Sequence, residues 1–157
     1  MEKTRTLTLA PRDLLGRIGT QKTTREYGDK EEIYSQGDAA NAMFYVESGH
    51  VKLTVASKGG RKAVLAILGK GDFFGENCLL RNSRRTATAT ALRHSTLARV
   101  TKSTLSSIMH REPAFSNGLV LDLLSRIVRI QEDFTDQLLN SSERRLARLL
   151  LRFKQLW

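Results

Sequence analysis

The sequence predicts a mainly β fold of the α+β class, a β roll or sandwich followed by helices, and three observations carry that prediction. Short runs between Thr23 and about Val100 alternate apolar with polar residues. Glycines at 28, 37, 49, 59, 60, 71 and 75 separate them, and the period becomes helical after Val100. Each such strand has one apolar face to bury, and many short strands joined by glycine turns do so by closing into a sandwich or roll.

The strand runs are "TTREY", "MFYVESGHVKLTVAS", "RKAVLAIL" and "TATATALRHSTLARV". Between the second and third lies "SKGGRK" (57–62), whose Gly-Gly pair accepts the positive φ angles of a tight hairpin. "TKSTLSSIMH" then reads as a short helix with Thr101 available as N-cap, and Pro113 suits the first turn of the next one.

From Pro113 onward Val120, Leu124, Ile127, Gln131, Phe134 and Leu138 follow one another at spacings of 4, 3, 4, 3 and 4, a heptad seam on a long helix. The seam fits a stripe packed within one chain or an interface between two copies. The near-strict 3-4 spacing and the single polar Gln131 at an a position favour the interface, because one polar a residue fixes register at some cost in stability.

"NSSERRLARLLLRFKQLW" opens with Asn140 three residues before Glu143, a start resembling a capping box. Leu146, Leu149, Leu150 and Phe153 recur at helical spacing, with Arg144, Arg145, Arg148 and Arg152 over much of the remaining surface. Such an apolar face is expected to dock, either on the remainder of a second domain or on a partner.

A chain of 157 residues is long enough to bury about two-thirds of its unfolded surface without covalent staples. The single Cys78 excludes an intrachain disulfide, and with only His50, His94 and His110 beside it there is no zinc or iron-sulfur ligand set. No apolar run approaches the roughly 20 residues of a membrane span, and no signal-peptide pattern opens the chain. The expectation is a soluble, cytoplasmic, metal-free protein with no membrane partner. A net charge of +10 favours a polyanionic partner through long-range attraction of phosphate. No Ser-His-Asp, Cys-His or paired-carboxylate arrangement recurs with usable spacing, so no enzymatic activity is expected.

"GDFFGENCLLRNSRRTATATA" (71–91) carries the candidate chemistry. Gly75 permits close backbone approach to a ligand, and a short helical turn after it aims free amides at an anion. Arg85 can grip a phosphate through a forked pair of charge-assisted hydrogen bonds, to which Thr86 adds another. One arginine and a ring of amides suit a singly charged phosphodiester better than a triphosphate. Glu76, an acceptor at neutral pH, fits a sugar hydroxyl, and a phosphate beside a ribose hydroxyl implies a nucleotide.

The order Gly75-Glu76, two residues, Leu79-Leu80, a short loop, then Arg85-Thr86-Ala87 and an alternating strand closely resembles the phosphate-binding cassette of the cyclic-nucleotide-binding domain. "YSQGDAANAMFYVESGHVKL" and "GKGDFFGE" resemble that family's flanking β-roll segments. The long helix followed by "NSSERRLARLLLRF" resembles the dimerisation helix and hinge of the Crp/Fnr transcription regulators. The likeness runs from about Tyr27 to Phe153.

The resemblance implies a double-stranded β-helix, or jelly-roll, nucleotide-binding roll flanked by short helices, then a long dimerisation helix and a short terminal helix. It divides the chain into 1–112 for the roll, 113–139 for the homodimer helix, and 140–157 for the hinge and first helix of a truncated DNA-binding domain. Glu76 would hold the ribose 2'-hydroxyl with the Gly75 backbone beside it. Arg85, Thr86 and Ala87 would receive the cyclic phosphate, and Gln131, next to Ile130 on the long helix, would meet the base. Cyclic nucleotide is thus the expected allosteric ligand, cAMP ahead of cGMP.

The sequence also departs from the family pattern. Cys78 replaces a small Ala or Gly and reads as a packed small side chain. Arg84 replaces a frequent proline. Ile130 lacks the hydroxyl that some cAMP-responsive members use, while Thr86 accompanies cGMP preference in some eukaryotic relatives, which leaves the base open. A Crp/Fnr regulator continues through a winged helix-turn-helix, whose DNA-reading residues would lie beyond Trp157, so DNA is an expected partner only where such a domain follows. The expected function is ligand sensing and dimerisation in such a regulator, or alternatively a stand-alone cyclic-nucleotide module that regulates a partner protein.

Overall fold

The computed structural model describes residues 16, 18–140 and 142–155. Eight strands run in chain order: β1 (Thr23–Tyr27), β2 (Glu32–Tyr34), β3 (Ala42–Ser48), β4 (Val51–Ala56), β5 (Lys62–Leu68), β6 (Phe73–Phe74), β7 (Thr88–Ala91) and β8 (Ser95–Thr101). Three helices follow: α1 (Lys102–Arg111), α2 (Pro113–Leu139) and α3 (Ser142–Gln155). The strands form two four-stranded antiparallel sheets, ordered β1-β8-β3-β6 and β2-β7-β4-β5. The jelly-roll-like, mainly β architecture with a long helix and a short terminal helix is the one the sequence predicts.

The core lies between the sheets. Tyr27, Phe44, Val46, Phe74 and Leu97 from one sheet pack with Val51, Ala89 and Ala91 from the other. Strand β3 is buried along Ala42–Val46 because both its faces are covered: Ala42, Phe44 and Val46 enter the core, while Met43 and Tyr45 face the other way. On that second face Tyr45 meets Phe73 with ring centroids 4.8 Å apart, and α1 packs against β3 and β8.

The local signals read from the sequence act as expected at two places. Gly60 adopts φ +79° in the β4–β5 turn, where its N–H donates to the Ser57 carbonyl at 3.0 Å. Thr101 caps α1, its side chain accepting from the Thr104 N–H at 3.3 Å.

The contacts divide the chain into two units, one up to Leu119 and one from Val120. In the second unit the seam residues Val120, Leu124, Ile127, Phe134 and Leu138 are each about half exposed or more. So are Leu146, Leu149, Leu150 and Phe153 of α3. The Asp136 carboxylate pairs with Arg148 and accepts from the Asn140 side-chain amide. Asn140 thus bonds back towards α2, and the residue preceding Ser142 lies outside the described residues, so the expected capping box is not described. No described helix is long and apolar enough to cross a membrane.

Candidate functional site

Gly75 sits at the hinge between β6 and a four-residue 3-10 turn, Glu76–Leu79, in the left-handed conformation with φ +77°. Only glycine takes that conformation without strain, and the site needs it for space as well. A Cβ there would lie 2.6 Å from Arg85 Nη1 and 3.2 Å from the Ala42 carbonyl oxygen. Glu76 opens the turn and is half-buried. Cys78 is fully buried inside the turn, its N–H donating to the Gly75 carbonyl at 3.1 Å. Burial pushes its thiol pKa up, as befits a packed small side chain.

The backbone of Arg85 is fixed by the loop after β2. Its N–H donates to the Asp38 carbonyl, and its own carbonyl accepts from the Gly37 N–H, both at 2.8 Å. The side chain turns inward and is only 4% exposed. Nη1 donates to the Gly75 carbonyl at 3.1 Å and to Asn77 Oδ1 at 3.5 Å, and Nη2 donates to the Ala42 carbonyl at 2.7 Å. The guanidinium carbon lies 4.1 Å from the Tyr34 ring centroid and 5.6 Å from that of Phe44. Arg85 Nε is buried and has no hydrogen-bond partner.

A buried cation is costly unless compensated, and burial is the first cause lowering the Arg85 pKa. Ring faces and carbonyl dipoles compensate in part, while the orphaned Nε–H keeps one strong donor unsatisfied. Chemically, the arrangement is suited to an anion that bonds side-on to a guanidinium edge. Among the described residues no His, Cys, Asp and Glu cluster could hold a metal ion.

The structure therefore brings Gly75 and Arg85 into contact, with Glu76 adjoining Gly75. Thr86, exposed, and Ala87, buried, lead from Arg85 into β7. Gln131 is exposed on α2 in the second unit, in a hollow it shares with Val128, Thr135 and Asp136. Sequence reasoning missed Tyr34 and the Ala42 carbonyl. The β2–β7 pairing, with Tyr34 opposite Ala89, brings the tyrosine to this site from a distant part of the chain.

Residues 24–112 match the family model described as "Cyclic nucleotide-binding domain", and the chain belongs to that family. It is 34% identical over 121 residues to a cyclic AMP receptor protein of Thermus thermophilus, covering 77% of this chain and 55% of the relative. A CRP-like cAMP-activated global transcriptional regulator of Mycobacterium tuberculosis is 26% identical over 123 residues, covering 78% and 55%. The crystal structure of the Thermus thermophilus catabolite activator protein superposes with a TM-score of 0.70 at 32% identity, covering 83% of this chain and 60% of that one. The chain thus spans about half the length of these curated relatives.

Proposed function

We propose that this chain is the cyclic-nucleotide-sensing and dimerisation module of a Crp/Fnr-type transcription regulator. The observation that carries the reading is Arg85: a buried guanidinium with an unpartnered Nε, beside a glycine whose side-chain space it fills. In this role Arg85 and Thr86 take the cyclic phosphate, the backbone at Gly75 and Ala87 lines it, and Glu76 accepts from the ribose 2'-hydroxyl. Gln131 is assigned to the base. The Thermus thermophilus relative is named a cyclic AMP receptor, which puts cAMP ahead of cGMP as ligand.

The domain plan that goes with this reading is sensing in 1–112, homodimerisation through 113–139, and a hinge with the start of a DNA-binding domain in 140–157. A bound ligand biases the helices only as far as it binds one of their arrangements more tightly than the other. DNA is a partner in this reading only where a helix-turn-helix domain follows this segment, and the assembly works in the cytoplasm. A second reading, a module regulating a partner protein, is favoured by the exposed apolar face of α3.

Calorimetric titration with cAMP, cGMP and cyclic di-nucleotides tests the ligand assignment. Saturable binding of cAMP ahead of the others supports it, and an absence of binding to every cyclic nucleotide overturns it.

A further inference from the structure

We infer that Tyr34 is a positioning residue of the anion site, its ring face setting the plane in which the Arg85 guanidinium meets a ligand. The inference rests on the proposed reading of Arg85 as a phosphate ligand.

A guanidinium is planar, so its presentation is fixed only when both an edge and the plane are held. The edge is held by the carbonyls of Gly75 and Ala42, which accept from Nη1 and Nη2. Those bonds leave rotation of the plane to be settled by packing. Tyr34 settles it, with its ring centroid 4.1 Å from the guanidinium carbon, while the nearest other ring, Phe44, is at 5.6 Å. Tyr34 is itself braced by Phe44 and Phe74, at centroid separations of 5.7 and 6.0 Å.

The two restraints come from opposite sheets. Tyr34 belongs to β2 in one, and Ala42 to β3 in the other. Arg85 is thus clamped between them with Nε–H as the buried donor that has no partner. The hydrogen bonds Arg85 makes end on uncharged oxygens, and the ring face attracts the cation without presenting an acceptor that a phosphate would have to displace.

The test compares Y34F, which keeps the ring, with Y34L and Y34M, which do not, in the whole chain. Circular dichroism confirms folding of each. In the wild type and Y34F the Arg85 Nε–H resonance, assigned with R85K, should carry an upfield ring-current shift that Y34L and Y34M lose. Affinity for cAMP should hold in Y34F and fall by about tenfold in the ring-less variants, a change of about 1.4 kcal/mol.

Full retention of affinity in a folded Y34L or Y34M, or a wild-type Arg85 resonance with no ring-current shift, overturns the inference. If the wild type binds no cyclic nucleotide, the ligand assignment fails separately. Inorganic phosphate then decides the positioning role: it should perturb the Arg85 Nε–H resonance in wild type and Y34F but not in Y34L, and equal responses contradict it.

Discussion

The Arg85 guanidinium occupies the space that a side chain at Gly75 would need, since a Cβ on Gly75 would stand 2.6 Å from Arg85 Nη1. The two residues are therefore one device: the glycine's positive φ makes the turn, and its missing side chain makes room for the cation.

The substitution Gly75→Ala should disturb both functions at once. Holding a non-glycine residue at φ +77° costs about 1 to 3 kcal/mol, and Arg85 must shift as well. Thermal unfolding should show the loss at about 2 to 4 °C per kcal/mol, and calorimetry should show weakened cyclic-nucleotide binding. Wild-type stability and affinity in this variant would mean that the tight contact does not matter.

The exposed seam of α2 leads to a second expectation. Ile127 and Phe134 lie 49% and 59% exposed, and in the proposed homodimer they are covered by a second copy. The double variant Ile127→Asp with Phe134→Asp should turn a dimer into a monomer by light scattering. An unchanged mass would assign the stripe another role.

Alkaline pH should act through Tyr34. Its hydroxyl is pushed from 10.0 up to about 12, by burial first, with Arg85 pulling it down and Glu76 and Cys78 adding to the rise. The phenol is neutral when protonated, so the unfolded chain gives up this proton first. The Tyr34 contribution to stability is thus whole below pH 10 and is lost as pH rises towards 12. The variant Y34F should show a shallower loss of denaturant stability across that window and less tyrosinate absorbance at its upper end. An identical pH profile in the two proteins would contradict this.

Much of the roll was legible because its strands obey a period of two between glycines. Strands β1, β4, β5 and β7 fall within runs read from the sequence, and β3 and β8 overrun theirs by one residue, at Ala42 and Thr101. Strands β2 and β6 were not, being three and two residues long, too short to display any period. On β5 alternation misleads about burial, since Val64, Leu65 and Ile67 are all exposed on an edge strand.

The candidate site divides in the same way. Gly75, Glu76 and Arg85 stand close in sequence with side-chain types that declare their chemistry. Tyr34 reaches Arg85 only through the β2–β7 pairing, and Ala42 contributes a backbone carbonyl, which no side-chain motif displays. Asn77 was hidden inside the cassette spacer, although its amide oxygen lies 3.5 Å from Arg85 Nη1.

The most direct test of a cyclic-phosphate site built on Arg85 is calorimetric titration of cAMP into the wild type and into Arg85→Ala. Saturable binding in the wild type that weakens by about 2 to 5 kcal/mol in the variant is the predicted result, as expected when a buried charge partner is removed. Equal binding by the two proteins would contradict the account.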